Sequence, residues 1–254
     1  MKLVKDTRPF PFRITGARVA VLGYGPSAAQ QAIGLRDAGN QVSIGIRLGG
    51  LSWVRARRDG FPAGPACSAV EGASVVVVLV PDDEQAPVYW DAIEPAVEPG
   101  ALLVTERALA LATRAFDPQR LDVVFIAADD RTCRVAVHND TTGRALERAI
   151  SYARAAFGLD VAISTTTIAA EVDAELAELE TRAGSAAAFR SYVESATARV
   201  RFSHAPEEAR LAYYEGLHEL VRDRARRRGD TAEQPAVAPG DATGVDHGPT
   251  RGMS

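Results

Sequence analysis

The stretch Ala17–Gly25, ARVAVLGYG, constrains the fold more than any other part of the chain. An apolar strand runs into Gly23-Tyr24-Gly25, and a helical pattern follows at Ala28–Ala38. Gly23 permits a tight turn, and Gly25 has no side chain to obstruct an approaching phosphate. Ala28 is small enough for the helix to pack on the strand. A helix beginning there points its free N–H groups and the positive end of its dipole at the turn. Gln41–Ile46 reads as the next strand, completing a βαβ unit of the kind that receives a dinucleotide pyrophosphate.

The end of that second strand faces the adenine ribose in such a unit, where an acid would hydrogen-bond the 2′-hydroxyl of NADH. Gly45–Ser52 reads GIRLGGLS and carries no acid. Arg47 and the hydroxyl of Ser52 instead suit a 2′-phosphate, since a guanidinium is a forked and permanently charged donor. NADPH is therefore the expected cofactor. Arg55, Arg57 and Arg58 follow closely, either joining in or forming the solvated face of the next helix.

Beyond this unit, strand and helix patterns continue to alternate. A helix is expected at Leu51–Asp59, then the strand Val75–Val80, a helix at Glu84–Ile93, and strands at Ala101–Val104, Val123–Ala127 and Arg134–His138. A helix at Thr142–Phe157 follows. Val75–Val80, VVVVLV, is apolar at every position, as a parallel strand covered on both faces requires. From about Thr165 the periodicity is helical only, with further helices at Ser185–Ala198 and Pro206–Arg227. The expected fold class is α/β, a Rossmann-like doubly wound sheet over residues 1–160 followed by a smaller all-helical domain over 161–228. Residues 229–254 are rich in Gly, Pro, Asp and Thr without periodicity and are expected to be a disordered tail.

Composition narrows the possible partners. Lys and Arg total 29 against 33 Asp and Glu, so no broad basic surface for nucleic acid is indicated. No apolar run approaches the ~20 residues needed to span a bilayer, and the first residues lack a secretory apolar core. Cys67 and Cys133 have no metal-ligand spacing and suit a reducing compartment. A cytoplasmic protein with a small-molecule substrate, and neither nucleic-acid nor membrane partners, is expected.

In the helical half, Ile168, Val172, Leu176 and Leu179 form an apolar stripe. Glu171, Glu175 and Glu178 lie at i, i+4 and i+7, which places them together on a face read as opposite to it. Glu215 and Glu219 form another i, i+4 pair, with His218 beside them. Carboxylates converging from facing helices can hold Mg²⁺; equally, acidic helix faces are commonly just solvated.

Taken together these segments resemble ketol-acid reductoisomerase, an NADPH- and Mg²⁺-dependent enzyme family of branched-chain amino acid biosynthesis. The resemblance runs from about residue 17 to 221. It rests on GYG with GLRDAG (Gly34–Gly39), GIR…SW (Gly45–Trp53), LVPDDEQ (Leu79–Gln85) with Tyr89, IEPAVEPGA (Ile93–Ala101), VAVHND (Val135–Asp140) and AYYEGLHEL (Ala212–Leu220). It implies a Rossmann domain joined to a knotted helical domain, and a homodimer or larger assembly. It further implies NADPH contacts at Gly23, Tyr24, Gly25, Arg47, Ser52, Pro81, Asp82 and Gln85. Glu175, Glu215 and Glu219 match metal ligands of the family, Glu175 and Glu219 being assigned catalytic roles as well.

Several family residues are replaced. The segment AHGFN, with its catalytic histidine, corresponds to Glu106-Arg107-Ala108-Leu109-Ala110, and the lysine of APKGPG falls in Ala127-Ala128-Asp129. The second carboxylate of the metal-binding helix falls on Leu179, so at most one weak Mg²⁺ site is expected. The sequence also stops short of the later helices of the family domain. Alkyl migration depends on paired metals acting as Lewis acids, whereas hydride transfer needs mainly a positioned nicotinamide and a polarised acceptor. The expected activity is NADPH-dependent reduction of a small carbonyl or imine compound with an impaired isomerase step. The alternatives are a catalytically silent NADPH-binding partner protein and a working ketol-acid reductoisomerase.

Overall fold

A computed structural model describes residues 2–3, 14–129, 132–158, 160–201 and 208–229. The tail expected to be disordered therefore lies outside the described residues, Gly229 excepted. The elements in chain order are β1 (Lys2–Leu3), β2 (Arg18–Leu22), α1 (Pro26–Asp37), β3 (Gln41–Gly45), α2 (Leu51–Arg58), β4 (Ala63–Gly64), α3 (Ala66–Val70) and β5 (Val75–Val78). Then come α4 (Asp82–Val88), a π-helical turn (Tyr89–Ile93), β6 (Leu102–Thr105), α5 (Ala108–Ala112), β7 (Asp122–Ala128), β8 (Thr132–Asn139), α6 (Ala145–Phe157), β9 (Ala162–Thr165), α7 (Ile168–Arg182), α8 (Ala186–Arg201) and α9 (Glu208–Arg228).

The strands form one nine-stranded sheet in the order β1-β9-β8-β7-β6-β5-β2-β3-β4. From β4 to β7 all neighbours are parallel; β8 runs antiparallel to β7, and β1 antiparallel to β9. The chain order reverses between β2 and β5, the switch point outside which α/β sheets bind their ligands. Every residue of β5 is buried, as its all-valine sequence requires.

Successive side chains of each strand go to opposite faces, and two cores result. Val19, Val21, Ile44, Val77 and Val104 pack under α1 and α6. Ala20, Leu22, Val76, Val78 and Leu103 face the other way, and Val172, Leu176, Phe189, Val193, Tyr213, Leu217 and Val221 of α7, α8 and α9 join that same core. The core thus divides by sheet face rather than at residue 160, and the sheet itself continues to Thr165. Ion pairs reinforce the docking: Arg134 Nε on β8 lies 3.2 Å from Glu171 of α7, and Arg210 of α9 reaches Glu84 of α4 at 2.5 Å.

Some elements differ from the sequence pattern. The helix expected at Glu84–Ile93 starts at Asp82 and changes to a π turn after Val88, because Pro87 has no N–H to continue the ladder. The short helices α3 and α5 and the two-residue strand β4 carry too few residues for a periodicity to show.

Candidate functional site

The turn after β2 is built for close approach. Gly23 sits at φ +94°, and a Cβ there would stand 2.6 Å from the Leu79 carbonyl oxygen, so the turn admits only glycine. Gly25 precedes α1 in extended conformation, and a Cβ on it would meet no atom within 4 Å. Space above the turn is open to a phosphate, and Pro26 at the first helical position leaves the N–H groups of Ser27 and Ala28 facing it. Ala28 is buried against the strand. The side chain of Tyr24, by contrast, turns into the core beside Phe61 and donates to Asp59 Oδ2 at 2.9 Å. Burial, before the Asp59 contact, raises its hydroxyl to a pKa of about 12. What Tyr24 offers a cofactor is its main chain.

Arg47 is exposed just beyond β3, and Ser52 lies in the first turn of α2. Arg47 lines an open groove of about 790 Å³ together with Glu84, Trp90 and Arg210. The rest of its lining comes mostly from α4, the π-helical turn and α9, and neither turn glycine belongs to it.

A second cluster forms past the ends of β5 and β6. Pro81 leads into α4, where Asp82 and Gln85 face inward. Gln85 is buried; its Oε1 accepts from Thr105 Oγ1 at 3.1 Å, while its Nε2 has no hydrogen-bond partner among the described residues. An unpaired buried donor is costly unless something polar approaches it, which fits Gln85 as a ligand contact. Burial also raises the Asp82 carboxyl, opposed by the Arg107 guanidinium 3.6 Å from its Oδ1. Thr105 Oγ1 accepts from the Arg107 amide at 3.1 Å, which fixes the segment leading into α5.

Glu175 completes this cluster. It accepts from the amides of Ala108 at 2.8 Å and Leu109 at 3.2 Å, capping the start of α5 from a different helix. Burial raises its carboxyl to a pKa of about 7 despite those two hydrogen bonds. Glu171 is likewise buried, on Arg134, and only Glu178 of the acidic trio is solvated, paired with Arg182. The trio shares one side of α7, as the spacing requires, but that side is not simply solvated: Glu171 meets Arg134, and Glu175 meets the amides at the start of α5.

Glu215 and Glu219 lie on the exposed side of α9, and His218 Nε2 is 3.8 Å from Glu194 Oε1. Among the described residues no group of three or more His, Cys, Asp or Glu side chains is placed to hold a metal ion. Leu179 packs against the core, and Glu175 is engaged by backbone amides, so this donor set does not fit a Mg²⁺ centre within the described chain. The turn glycines, the start of α1 and the orphan donor of Gln85 do fit a dinucleotide. Thr105, Glu106, Ser27 and Tyr213, which also lie around this edge, were not expected from the sequence. Their one legible signal is position, since Thr105 ends a buried strand one removed from the switch point and Glu106 follows it.

Comparison with known proteins agrees with this geometry. Residues 13–162 match the family model described as acetohydroxy acid isomeroreductase, NADPH-binding domain. The chain belongs to the ketol-acid reductoisomerase family. It is 34% identical over 223 residues to a ketol-acid reductoisomerase (NADP(+)) of Methanopyrus kandleri, covering 80% of this chain and 65% of that protein. The chain thus spans under two thirds of that relative's length. Among solved structures, an NADH-preferring ketol-acid reductoisomerase from an uncultured archaeon matches with a TM-score of 0.59 at 24% identity, covering 84% of this chain and 70% of the other. A 3-hydroxyisobutyrate dehydrogenase of Mycobacterium tuberculosis matches with a TM-score of 0.54 at 17% identity, covering 85% and 89%. Both likenesses speak to the fold alone. No helix among the described residues is long and apolar enough to cross a membrane.

Proposed function

We propose that this family member is an NADPH-dependent oxidoreductase that reduces a small carbonyl or imine compound, with the alkyl-migration step of the family impaired. The observation that carries the proposal is Glu175: the residue matching a metal ligand is engaged as the cap of α5, beside Arg107 where the family segment has histidine. The backbone of Gly23–Gly25 and the start of α1 would hold the pyrophosphate, Arg47 and Ser52 the 2′-phosphate, and Gln85 Nε2 a polar group of the bound molecules. When bound, NADPH supplies the hydride.

The chain's own residues supply the rest. With a pKa of about 7, Glu175 carries a proton near neutrality and can give it to the oxygen or nitrogen that gains electrons as the hydride arrives. Arg107 is half-exposed and positively charged, and it orients and polarises the acceptor from the other side. Tyr213 and Leu217, buried against the same core, exclude water from this end. Within this proposal the protein acts in the cytoplasm as a homodimer or larger assembly.

The test is NADPH consumption with a panel of 2-oxo acids, acetohydroxy acids and cyclic imines. Turnover of simple carbonyl or imine compounds without conversion of acetolactate supports the proposal. Robust Mg²⁺-dependent acetolactate conversion would mark a working ketol-acid reductoisomerase instead. NADPH binding with no turnover of any compound would mark a silent binding protein.

A further inference from the structure

Glu106 lies just past β6, and its side chain crosses the edge of the sheet to α1. Its Oε1 accepts from Ser27 Oγ and from Gln31 Nε2, each at 2.7 Å, and Gln31 Nε2 also lies 3.0 Å from Ser27 Oγ. Behind them the Tyr152 hydroxyl donates to Gln31 Oε1 at 2.5 Å. Gln31 and Tyr152 are buried, and the amide, with its oxygen on the Tyr152 hydroxyl, turns its N–H toward Glu106. This network fixes a carboxyl group against Ser27, in the first turn of α1 and two residues from Gly25.

That is the end of the helix where a pyrophosphate belongs in an NADPH-binding domain. Two anions would then share one positive helix terminus, and one of them must lose its charge or leave. The network argues against leaving, because withdrawal of Glu106 would break its hydrogen bonds from both Ser27 Oγ and Gln31 Nε2.

We propose that a dinucleotide and a proton are taken up together, with Glu106 as the carboxylate that accepts the proton when the pyrophosphate settles at the start of α1. The proton comes from solvent. It converts the carboxylate to a neutral acid whose O–H can donate to a phosphate or ribose oxygen, while Oε1 keeps its bonds to Ser27 and Gln31. Burial raises the Glu106 carboxyl above the usual carboxylate range already in the free protein, against the hydrogen bond from Ser27, the charge of Arg107 and the hydrogen bond from Gln31. The other titratable groups facing Glu106 are Cys133 from β8 and Tyr152 from α6. Both are raised far above neutrality by burial and stay uncharged, which leaves Arg107 as the charged group in play among the described residues.

Resting as it does on dinucleotide binding at this turn, the proposal is tested by calorimetry of NADP⁺ and NAD⁺ binding to the full chain between pH 6.5 and 8.5. Buffers of different ionisation enthalpy count the protons taken up, and NAD⁺ removes the titration of the 2′-phosphate. Native protein should take up close to one proton per NAD⁺ at the upper end, with affinity falling toward about tenfold per pH unit. Glu106→Gln, which keeps a neutral hydrogen-bonding group there, should bind without that uptake and as tightly or more tightly at pH 8.5. Binding of NAD⁺ by native protein with no proton uptake overturns the proposal without any variant, as does equal uptake by Glu106→Gln. Failure of native protein to bind either dinucleotide overturns the cofactor assignment itself, and the proposal with it.

Discussion

The turn after β2 and the Glu175 cluster lie on the same edge of the same sheet, yet they depend on their sequences in opposite ways. At the turn, function needs absence: Gly23 must have no Cβ and Gly25 must leave space, and both demands are met by the local backbone. At the cluster, the proposed chemistry needs presence: a carboxylate, a guanidinium and an amide brought from α7, the β6–α5 junction and α4. A backbone demand is met within one short segment, whereas converging side chains depend on partners brought from several elements: here Glu175 of α7 caps the short helix α5.

The sharpest break of this comparison is Glu175→Gln. If Glu175 donates the proton, the variant should lose about 10²–10⁴-fold in turnover while NADPH affinity holds. The native rate should fall as pH rises through about 7, because the proton is lost there, and the variant should lose that dependence. A stability readout separates structure from chemistry. A carboxyl whose folded pKa lies above its unfolded value stabilises below the unfolded value, and that contribution is lost as pH rises through about 7. Thermal unfolding of the native protein should therefore become less favourable to the fold on going from pH 5 to pH 8, and Glu175→Gln should flatten this.

A smaller effect is expected at the cofactor side. Arg47→Asp should weaken NADPH binding about 10–100-fold and leave NADH equal or better, as measured by fluorescence titration, since a carboxylate repels a 2′-phosphate and accepts from a 2′-hydroxyl. Equal losses for both cofactors would place Arg47 outside the 2′-phosphate contact.

Gly216→Ala probes how the helical half is seated. A Cβ there would stand 2.3 Å from the Thr113 carbonyl oxygen, so α9 must retreat from α5. A loss of about 1–3 kcal/mol in denaturant unfolding is expected, although alanine is the better helix former. The smallest effect is removal of metal: chelation with EDTA should leave NADPH consumption with the best carbonyl or imine substrate unchanged. A large loss would restore Mg²⁺ to the mechanism and point to ligands contributed from outside the described chain.

The sequence by itself determined the sheet and its cofactor edge. Val75–Val78, the Gly23–Gly25 turn and the register of α1 after β2 all follow from local demands: burial on both faces, positive φ and an unobstructed helix start. It also carried the apolar stripe of α7, because Val172 and Leu176 bury wherever that helix lands. Only the tertiary structure decided what the polar residues do. Helical spacing put Glu171, Glu175 and Glu178 on one face but could not say that Arg134 and the amides of Ala108 and Leu109 would meet the first two. Likewise, nothing local to Tyr24 turned its hydroxyl toward Asp59, and nothing local to Glu106 placed it on Ser27. Apolar burial is cumulative along a periodic pattern and so can be read from one segment, whereas a charged or hydrogen-bonding group takes its role from the partner that packing brings to it.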